Sequence, residues 1–138
     1  AAIARSHGAE PVFMITWAYA DRPEMTEELA DAVIAVANAN HALAIPAGLA
    51  FAEAEKFAPD IALTISDKRH PTPEGSYLLA AVILESVFGI NARRVSEDCG
   101  LTPETAMILR EIAHKTAVRF FDRPLQSPSQ NRVSARKA

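Results

Sequence analysis

The stretches that decide the fold are Pro-Val-Phe-Met-Ile-Thr at residues 11–16 and Ala-Leu-Ala-Ile at residues 42–45. Both runs are continuously apolar, which is typical of strands that are covered on both faces, as in a parallel sheet. A helix predicted from Thr26 to Asn40, with Thr26 as its cap, separates them. Its apolar stripe consists of Leu29, Val33, Val36 and Ala37. The order strand, helix, strand predicts α/β layering around a parallel sheet.

Further segments on both sides extend this alternation. Ala1–His7 has the pattern of a helix end, and Gly8 supplies the left-handed stop. The next predicted segments are a loop at Trp17–Pro23, a helix at Leu49–Phe57, a third strand or extended segment at Ile61–Ile65, and a loop at Asp67–Pro71.

Two Thr-Pro-Glu triplets, at residues 72–74 and 102–104, predict the starts of the last two helices. In each triplet Thr can cap a backbone N–H, Pro fits the first helical position and Glu suits the positive end of the helix dipole. The first helix, Glu74–Phe88, is apolar almost all round, which predicts deep burial, and Gly89 ends it. The second helix runs from Pro103 to about Phe120. The predicted stripes are Tyr77, Ala80, Ala81, Leu84 and Phe88 on the first helix, and Leu109, Ile112, Ala113 and Thr116 on the second.

The number of predicted strands is small for this fold class. Doubly wound sheets commonly have about five strands, whereas this sequence offers only two or three. A two-stranded parallel sheet would leave both edges unpaired and much of helix 74–88 uncovered. We therefore expect residues 1–121 to be the C-terminal portion of a larger domain, completed by a missing N-terminal portion or by another chain. The Ser/Pro/Gln-rich residues 122–138 are expected to form a flexible tail.

Composition excludes several classes of function. The 138 residues are 49% hydrophobic and 22% charged, as in a globular protein, and the formal net charge of −3 offers no electrostatic basis for binding nucleic acid or an anionic membrane. The apolar runs are too short to span a bilayer. Cys99 is the single cysteine, which excludes a disulfide framework and a multi-thiolate zinc site. His7, His41 and His114 lack ligand spacing, so neither a metal nor a cofactor is expected. Residues 1–10 do not have the apolar core of a signal peptide, and the compartment stays open.

The stretch that carries chemistry is Ser-Asp-Lys-Arg-His-Pro-Thr-Pro-Glu-Gly-Ser-Tyr-Leu-Leu-Ala-Ala, residues 66–81. Asp67 lies three residues before His70 in a loop, and from there it can turn back and accept a hydrogen bond from the imidazole. Such a bond fixes the tautomer and stabilises the ring when it takes up a proton. The spacing therefore indicates the acid–base half of a nucleophile–His–Asp relay. The alternative is that Asp67 caps a turn and His70 is a solvated surface residue.

The longer pattern Asp-x-x-His-Pro-(Thr/Ser)-x-x-Gly-(Ser/Thr)-Tyr-Leu-x-Ala resembles the last conserved block of the SGNH hydrolases, also called the GDSL esterase/lipase superfamily. Two upstream segments agree with this resemblance. The strand that leads to Thr16-Trp17-Ala18 and the segment Ile45-Pro46-Ala47-Gly48-Leu49-Ala50-Phe51 are similar to the strand-plus-Trp and Pro-x-Gly-x-Ala-aromatic segments of bacterial members. The resemblance covers roughly residues 1–89.

This resemblance implies a three-layer α/β/α, flavodoxin-like fold that hydrolyses esters, often acyl or acetyl groups on carbohydrate or lipid. By the family pattern His70 would be the general base that activates a serine nucleophile, and Asp67 would orient it. The family's Gly-Asp-Ser and Gly-x-Asn-Asp motifs, which supply the nucleophile and an oxyanion donor, do not occur in this sequence. The chain would thus supply the His-Asp half of a catalytic triad. The alternative is a degenerate, non-catalytic member that binds a partner or carbohydrate near Trp17 and His70.

Residues near this block allow both functional and structural interpretations. Trp17 follows a strand at the edge where α/β proteins bind ligands, so it either lines a substrate site or packs in the core. Lys68 and Arg69 could contact an anionic substrate, although a solvated loop is the favoured interpretation. Ser66 is interpreted as a loop hydroxyl because its neighbours do not form a nucleophile elbow.

Other reactive residue types have structural interpretations. Ser6 precedes His7, but neighbouring helix residues point in different directions, which disfavours Ser6 as a nucleophile. His114 is expected near a helix C-terminus, where the dipole stabilises positive charge. Packing is favoured for Ser76 and Tyr77, and Cys99 is interpreted as an inert thiol.

Overall fold

The computed structural model describes residues 1–122, which form mixed α/β structure with a two-stranded parallel sheet. The strands are β1 (Val12–Met14) and β2 (Leu43–Ile45). The helices are α1 (Ala2–Ser6), α2 (Met25–Ala39), α3 (Ala47–Phe57), α4 (Pro73–Ile83) and α5 (Pro103–Phe121). A π-helical turn, Leu84–Phe88, continues α4, and a 3₁₀ turn, Ala92–Arg94, precedes α5.

The parallel pairing of β1 with β2 confirms the predicted strand, helix, strand unit. Val12 lies opposite Leu43, and Met14 lies opposite Ile45. The backbone N–H of Ile15 extends the ladder by donating to the carbonyl of Ile45 at 2.9 Å. Within residues 1–122 each strand has one hydrogen-bonded neighbour, so each keeps one free edge.

For Ile61–Ile65 the sequence predicts either a third strand or an extended segment. The structure has no third strand at these residues. This segment forms a single antiparallel bridge between Thr64 and Pro71. The N–H of Ile65 donates to the carbonyl of His70, and the N–H of Thr72 donates to the carbonyl of Leu63, both at 2.9 Å. Backbone groups that a third strand would have offered to the sheet therefore bond to the loop that follows them.

Local capping signals predict two helix starts correctly and one wrongly. Thr72 accepts a hydrogen bond from the N–H of Gly75, and Thr102 accepts one from the N–H of Thr105, as expected for N-caps. Thr26, in contrast, lies inside α2, which begins at Met25 after Glu24. The N–H of Thr26 already donates to the carbonyl of Pro23 at 3.1 Å, because the preceding turn leads directly into the helix.

The predicted stripes of α2 and α4 are confirmed in part, because Ala37 of α2 and Tyr77 and Ala81 of α4 are buried. In α2 the buried residues are Ala30 and Ala37, whereas Val36 is 46% exposed. In α4 the fully buried residues are Leu78 and Val82, whereas the predicted Ala80 is exposed. A π-helical turn has more residues per turn than an α-helix, so it shifts the phase of the stripe and leaves the predicted Phe88 exposed as well.

The main core lies between α3, α4 and α5. The predicted inward residues of α5, namely Leu109, Ile112, Ala113 and Thr116, are all buried. Because α5 packs along α4, the expectation that much of this apolar helix would be uncovered is wrong. α2 contacts both α3 and the sheet, where Ala44 is buried outside the main core cluster.

The π-helical turn places the carboxylate of Glu85 in the core. Glu85 Oε1 accepts hydrogen bonds from the N–H of Ala92 at 2.6 Å and from His114 Nδ1 at 3.0 Å. Glu85 Oε2 is buried with no hydrogen-bond partner among the described residues. His114 therefore pairs with a carboxylate well inside α5, and its predicted place near the end of a helix is wrong.

The predicted tail begins where α5 ends. Asp122 closes the helix in the left-handed conformation, with φ of +48°. The rest of the predicted flexible tail, residues 123–138, lies outside the described residues.

A close backbone contact fixes α3 against the end of β1. The N–H of Gly48 donates to the carbonyl of Ile15 at 2.7 Å. A Cβ atom on Gly48 would lie 2.2 Å from the carbonyl oxygen of Thr16, a distance that no side chain can occupy without a backbone shift. Glycine at position 48 therefore lets α3 approach the segment that leads into Trp17.

We predict that Gly48→Ala lowers the free energy of unfolding by about 1–3 kcal/mol, the usual range for overpacking. Helix propensity alone would give the opposite sign, since Ala is favoured over Gly by about 0.5–1 kcal/mol inside a helix. Urea denaturation of both proteins measures the difference. Ala52→Gly, a change at a half-buried position of the same helix, calibrates the propensity effect. A Gly48→Ala protein as stable as the parent would show that the close contact is unimportant.

Candidate functional site

The loop that carries Asp67 and His70 is a tight turn closed by backbone hydrogen bonds. The N–H of Lys68 donates to the carbonyl of Ile65 at 2.9 Å, and Ile65 in turn bonds to the carbonyl of His70. Lys68 has φ of +63°, in the left-handed region that a tight turn requires and that most residues avoid. The turn therefore brings the two predicted residues to the same side of the loop.

The start of α4 anchors the other end of this loop. The hydroxyl of Thr72 donates to the carbonyl of Ala62 at 2.8 Å and accepts from the N–H of Gly75 at 3.0 Å. A Cβ atom on Gly75 would lie 2.2 Å from the carbonyl oxygen of Leu63, so only glycine permits this close approach. His70, two residues before Thr72, is thus attached to a fixed helix end.

Asp67 and His70 form a direct side-chain hydrogen bond. His70 Nδ1 lies 2.5 Å from Asp67 Oδ2. The other carboxylate oxygen, Oδ1, accepts from the backbone N–H of Arg69 at 2.9 Å and of His70 at 3.0 Å. The imidazole, followed by these two backbone N–H groups, lowers the pKa of the Asp67 carboxyl from its ordinary value of 3.8 to about 2.

This geometry determines which ring nitrogen is available. Because Asp67 is ionised at neutral pH, we assign the proton of neutral His70 to Nδ1, where it is donated to Asp67. His70 Nε2 then carries a lone pair and forms no hydrogen bond within the described residues. The His70 side chain is 76% exposed, so Nε2 is accessible to a reacting group. The arrangement can accept a proton at Nε2 and stabilise the resulting imidazolium.

Trp17 lies against the loop that carries Asp67 and His70. Its indole N–H donates to the backbone carbonyl of Arg69 at 2.8 Å. On its other side, the indole stacks on Phe51 of α3, with ring centroids 4.5 Å apart and planes 10° from parallel. Both interpretations of Trp17 therefore have a structural basis: the residue packs, and it lies next to the candidate site.

Two further contacts of the same region were missed by sequence reasoning. The guanidinium carbon of Arg69 lies 4.5 Å from the ring centroid of Tyr19, in a cation–π contact. The N–H of Ala20 donates to the carbonyl of Lys68 at 3.0 Å. Together with Trp17, these contacts fix the segment after β1 to the loop 67–70. The only signal in the sequence was the presence of two aromatic residues just after a strand.

The other serine candidates do not complete a relay within the described residues. Ser66 is exposed and forms no hydrogen bond with His70. Ser6 Oγ does lie 3.2 Å from His7 Nδ1, so the argument that their side chains point apart is wrong. However, His7 Nδ1 is 2.9 Å from the carbonyl of Ile3. It must carry a proton to donate there, so this nitrogen cannot act as a base towards Ser6.

The favoured packing role of Tyr77 agrees with its contacts. Tyr77 is buried, its hydroxyl donates to the carbonyl of Glu97 at 2.8 Å, and it accepts from Arg110 at 3.0 Å. Ser76 and Cys99 are exposed. Residues 1–122 contain no group of three or more His, Cys, Asp or Glu side chains arranged to hold a metal ion. None of the helices in that range is long and apolar enough to cross a membrane.

The chain matches no protein-family model, no curated protein sequence and no solved structure.

We predict that the pKa of the Asp67 carboxyl is about 2 in the parent chain. A pH titration followed by ¹³C NMR of this side chain tests the value. His70→Ala removes the largest cause of the lowered pKa, so the pKa of Asp67 should rise. It should still stay below 3.8, because two backbone N–H groups continue to donate to Oδ1. The matched control His7→Ala should leave the pKa of Asp67 unchanged.

The stability effect has a defined sign. The pKa of Asp67 is lower in the folded chain than its ordinary value of 3.8, so the ionised carboxylate stabilises the folded state. This contribution to the free energy of unfolding is complete above pH 3.8 and disappears as the pH falls through about 2. An Asp67 pKa near 3.8 in the parent chain would contradict the hydrogen-bonded geometry.

Proposed function

We propose that this chain is the C-terminal portion of an SGNH-type serine hydrolase, in which His70 is the general base and Asp67 orients it. The observation that carries the proposal is the bond between His70 Nδ1 and Asp67 Oδ2 at 2.5 Å, which leaves Nε2 free and exposed. This is the arrangement that a nucleophile–His–Asp relay requires of its last two members.

In the proposed reaction His70 Nε2 takes the proton from a serine hydroxyl as the serine oxygen attacks the ester carbonyl. The resulting imidazolium is stabilised by Asp67, which stays ionised throughout. The proton on Nε2 then passes to the leaving alcohol, and an acyl-enzyme forms. In the second half, Nε2 takes a proton from a water that attacks the acyl carbon, and it returns that proton to the serine oxygen as the acid leaves. No cofactor takes part in this scheme.

The nucleophile and the oxyanion donors would come from polypeptide outside these 138 residues. Two features favour this. No serine of residues 1–122 forms a hydrogen bond with His70, and within the same range both strands keep a free edge to which further strands could add. We therefore propose that such strands complete a three-layer, flavodoxin-like sheet, supplied by an N-terminal portion or by another chain.

The location of the pair also favours a ligand site. Trp17 and Tyr19 follow the carboxyl end of β1, and both contact Arg69 of the loop that carries the pair. Open α/β sheets bind their ligands outside the carboxyl ends of their strands. The proposed substrate class is an acyl or acetyl ester of a small molecule, carbohydrate or lipid.

A second candidate is a non-catalytic binding module of the same fold. It is favoured by the absence of a bonded serine among the described residues. In this case ligand would bind near Trp17 and His70 without turnover, and the 138-residue chain alone should be folded and monomeric.

The two candidates differ in one experiment. We predict that the protein encoded by the complete gene hydrolyses p-nitrophenyl acetate, and that His70→Ala lowers kcat roughly 10²–10⁴-fold, the usual contribution of a general base. Asp67→Asn should also lower kcat, because an amide cannot stabilise the imidazolium. Initial rates at saturating substrate measure both changes.

His7→Ala, another exposed histidine, is the matched control and should keep full activity. Turnover that survives His70→Ala would refute the hydrolase proposal. An absence of turnover and of serine labelling by a fluorophosphonate in the complete protein would favour the binding module.

A further inference from the structure

Arg69 differs from most arginines of the described chain in its partners. Arg5, Arg22, Arg93, Arg110 and Arg119 each pair with a carboxylate. Arg69 and Arg94 have no such partner within residues 1–122. Arg69 is exposed and directly precedes His70 in the candidate site. Its positive charge is therefore not neutralised by an acidic side chain among the described residues.

The guanidinium of Arg69 is nevertheless held in place. Its plane is supported by Tyr19, 4.5 Å from the ring centroid, and its NH1 group donates to the backbone carbonyl of Asp67 at 2.9 Å. A guanidinium has five N–H donors, so most of them stay free for a ligand. Because the side chain is already ordered, binding an anion there costs less conformational entropy than binding it to a mobile arginine.

Arg69 and His70 both turn back towards Asp67. The guanidinium bonds to the main-chain carbonyl of that residue, and the imidazole bonds to its carboxylate. The carboxylate is already occupied by three N–H groups. Lys68, also exposed, adds a second positive charge within this short segment. Asp67 stays ionised, so Lys68 and Arg69 leave residues 67–69 with a net charge of 2 − 1 = +1, although the chain as a whole carries a net charge of −3.

We propose that Arg69 is a specificity-determining residue that binds an anionic group of the substrate. The substrate class is an ester that carries a carboxylate or phosphate near the scissile bond. The guanidinium binds the two oxygens of such a group through paired N–H donors while His70 acts on the ester. This inference rests on the proposed function, but its binding step is measurable without turnover.

The binding test uses Trp17, the single tryptophan, whose indole N–H bonds to the carbonyl of Arg69. We predict that succinate or inorganic phosphate, titrated into the chain at constant ionic strength, changes the fluorescence of Trp17 in a saturable way. Arg69→Gln should weaken the Kd at least tenfold. Arg22→Gln, an exposed arginine paired with Glu24, is the matched control and should bind as the parent does.

Separate titrations distinguish a carboxylate from a phosphate as the preferred group. A chain that binds neither anion saturably, or an Arg69→Gln chain that binds as tightly as the parent, would overturn the proposal. ¹H–¹⁵N NMR of the parent chain adds a measurement that needs no variant. The Arg69 Nε–H signal should shift on binding while the Arg22 Nε–H signal does not, and equal shifts would count against a specific site.

The kinetic test compares p-nitrophenyl acetate with the monoester of p-nitrophenol and succinic acid, in the complete protein. Arg69→Gln should reduce kcat/KM at least tenfold more for the anionic ester than for the neutral one, whereas Arg22→Gln should leave the ratio unchanged. If activity depends on His70 but this ratio does not change, the inference fails and the hydrolase proposal stands. If anions bind through Arg69 but no activity depends on His70, the hydrolase proposal fails, and the substrate role inferred for Arg69 fails with it.

Discussion

Three N–H groups converge on the Asp67 carboxylate, and the arrangement of the whole loop depends on that convergence. Two of the donors are backbone groups of Arg69 and His70, and the third is the imidazole of His70. The backbone bonds close the turn, and the side-chain bond selects the tautomer. Because one carboxylate does both, the shape of the loop and the chemistry of the ring are coupled: a change that opens the turn also releases the imidazole.

The strand, helix, strand pattern and two of the three capping signals predicted the fold correctly, whereas the cap predicted at Thr26 is wrong and no third strand forms at Ile61–Ile65. Thr72 and Thr102 cap their helices because their hydroxyls bond to N–H groups three residues away. The segment Ile61–Ile65 has the composition of a strand, yet its N–H and C=O groups are used by the following loop. The predicted stripe of α4 is wrong at Phe88, since the π-helical turn that shifts the phase there has no signature in a periodicity of 3.6.

In the candidate site, the contact between residues close in sequence was predicted, and the contacts between residues distant in sequence were not. The spacing of Asp67 and His70 predicted their contact because the turn between them is short. Trp17 was recognised only as a residue after a strand, and the sequence could not show that its indole bonds to Arg69, 52 positions away. Tyr19 was not considered at all, since its contact with Arg69 exists only once two loops have come together. The nucleophile stays a prediction about residues outside this chain.

Among the residues that the structure describes, β1 has a free edge, and this edge affects how the chain behaves in concentrated solution. A strand with unpaired N–H and C=O groups can pair with the same strand of a second molecule, which is a route to aggregation. Two features of this edge oppose such pairing. β1 has only three residues, so few new hydrogen bonds can form, and Pro11 directly before it lacks an N–H to donate. The same shortness means that any strand that does add to β1 must gain most of its stability from side-chain packing rather than from the ladder.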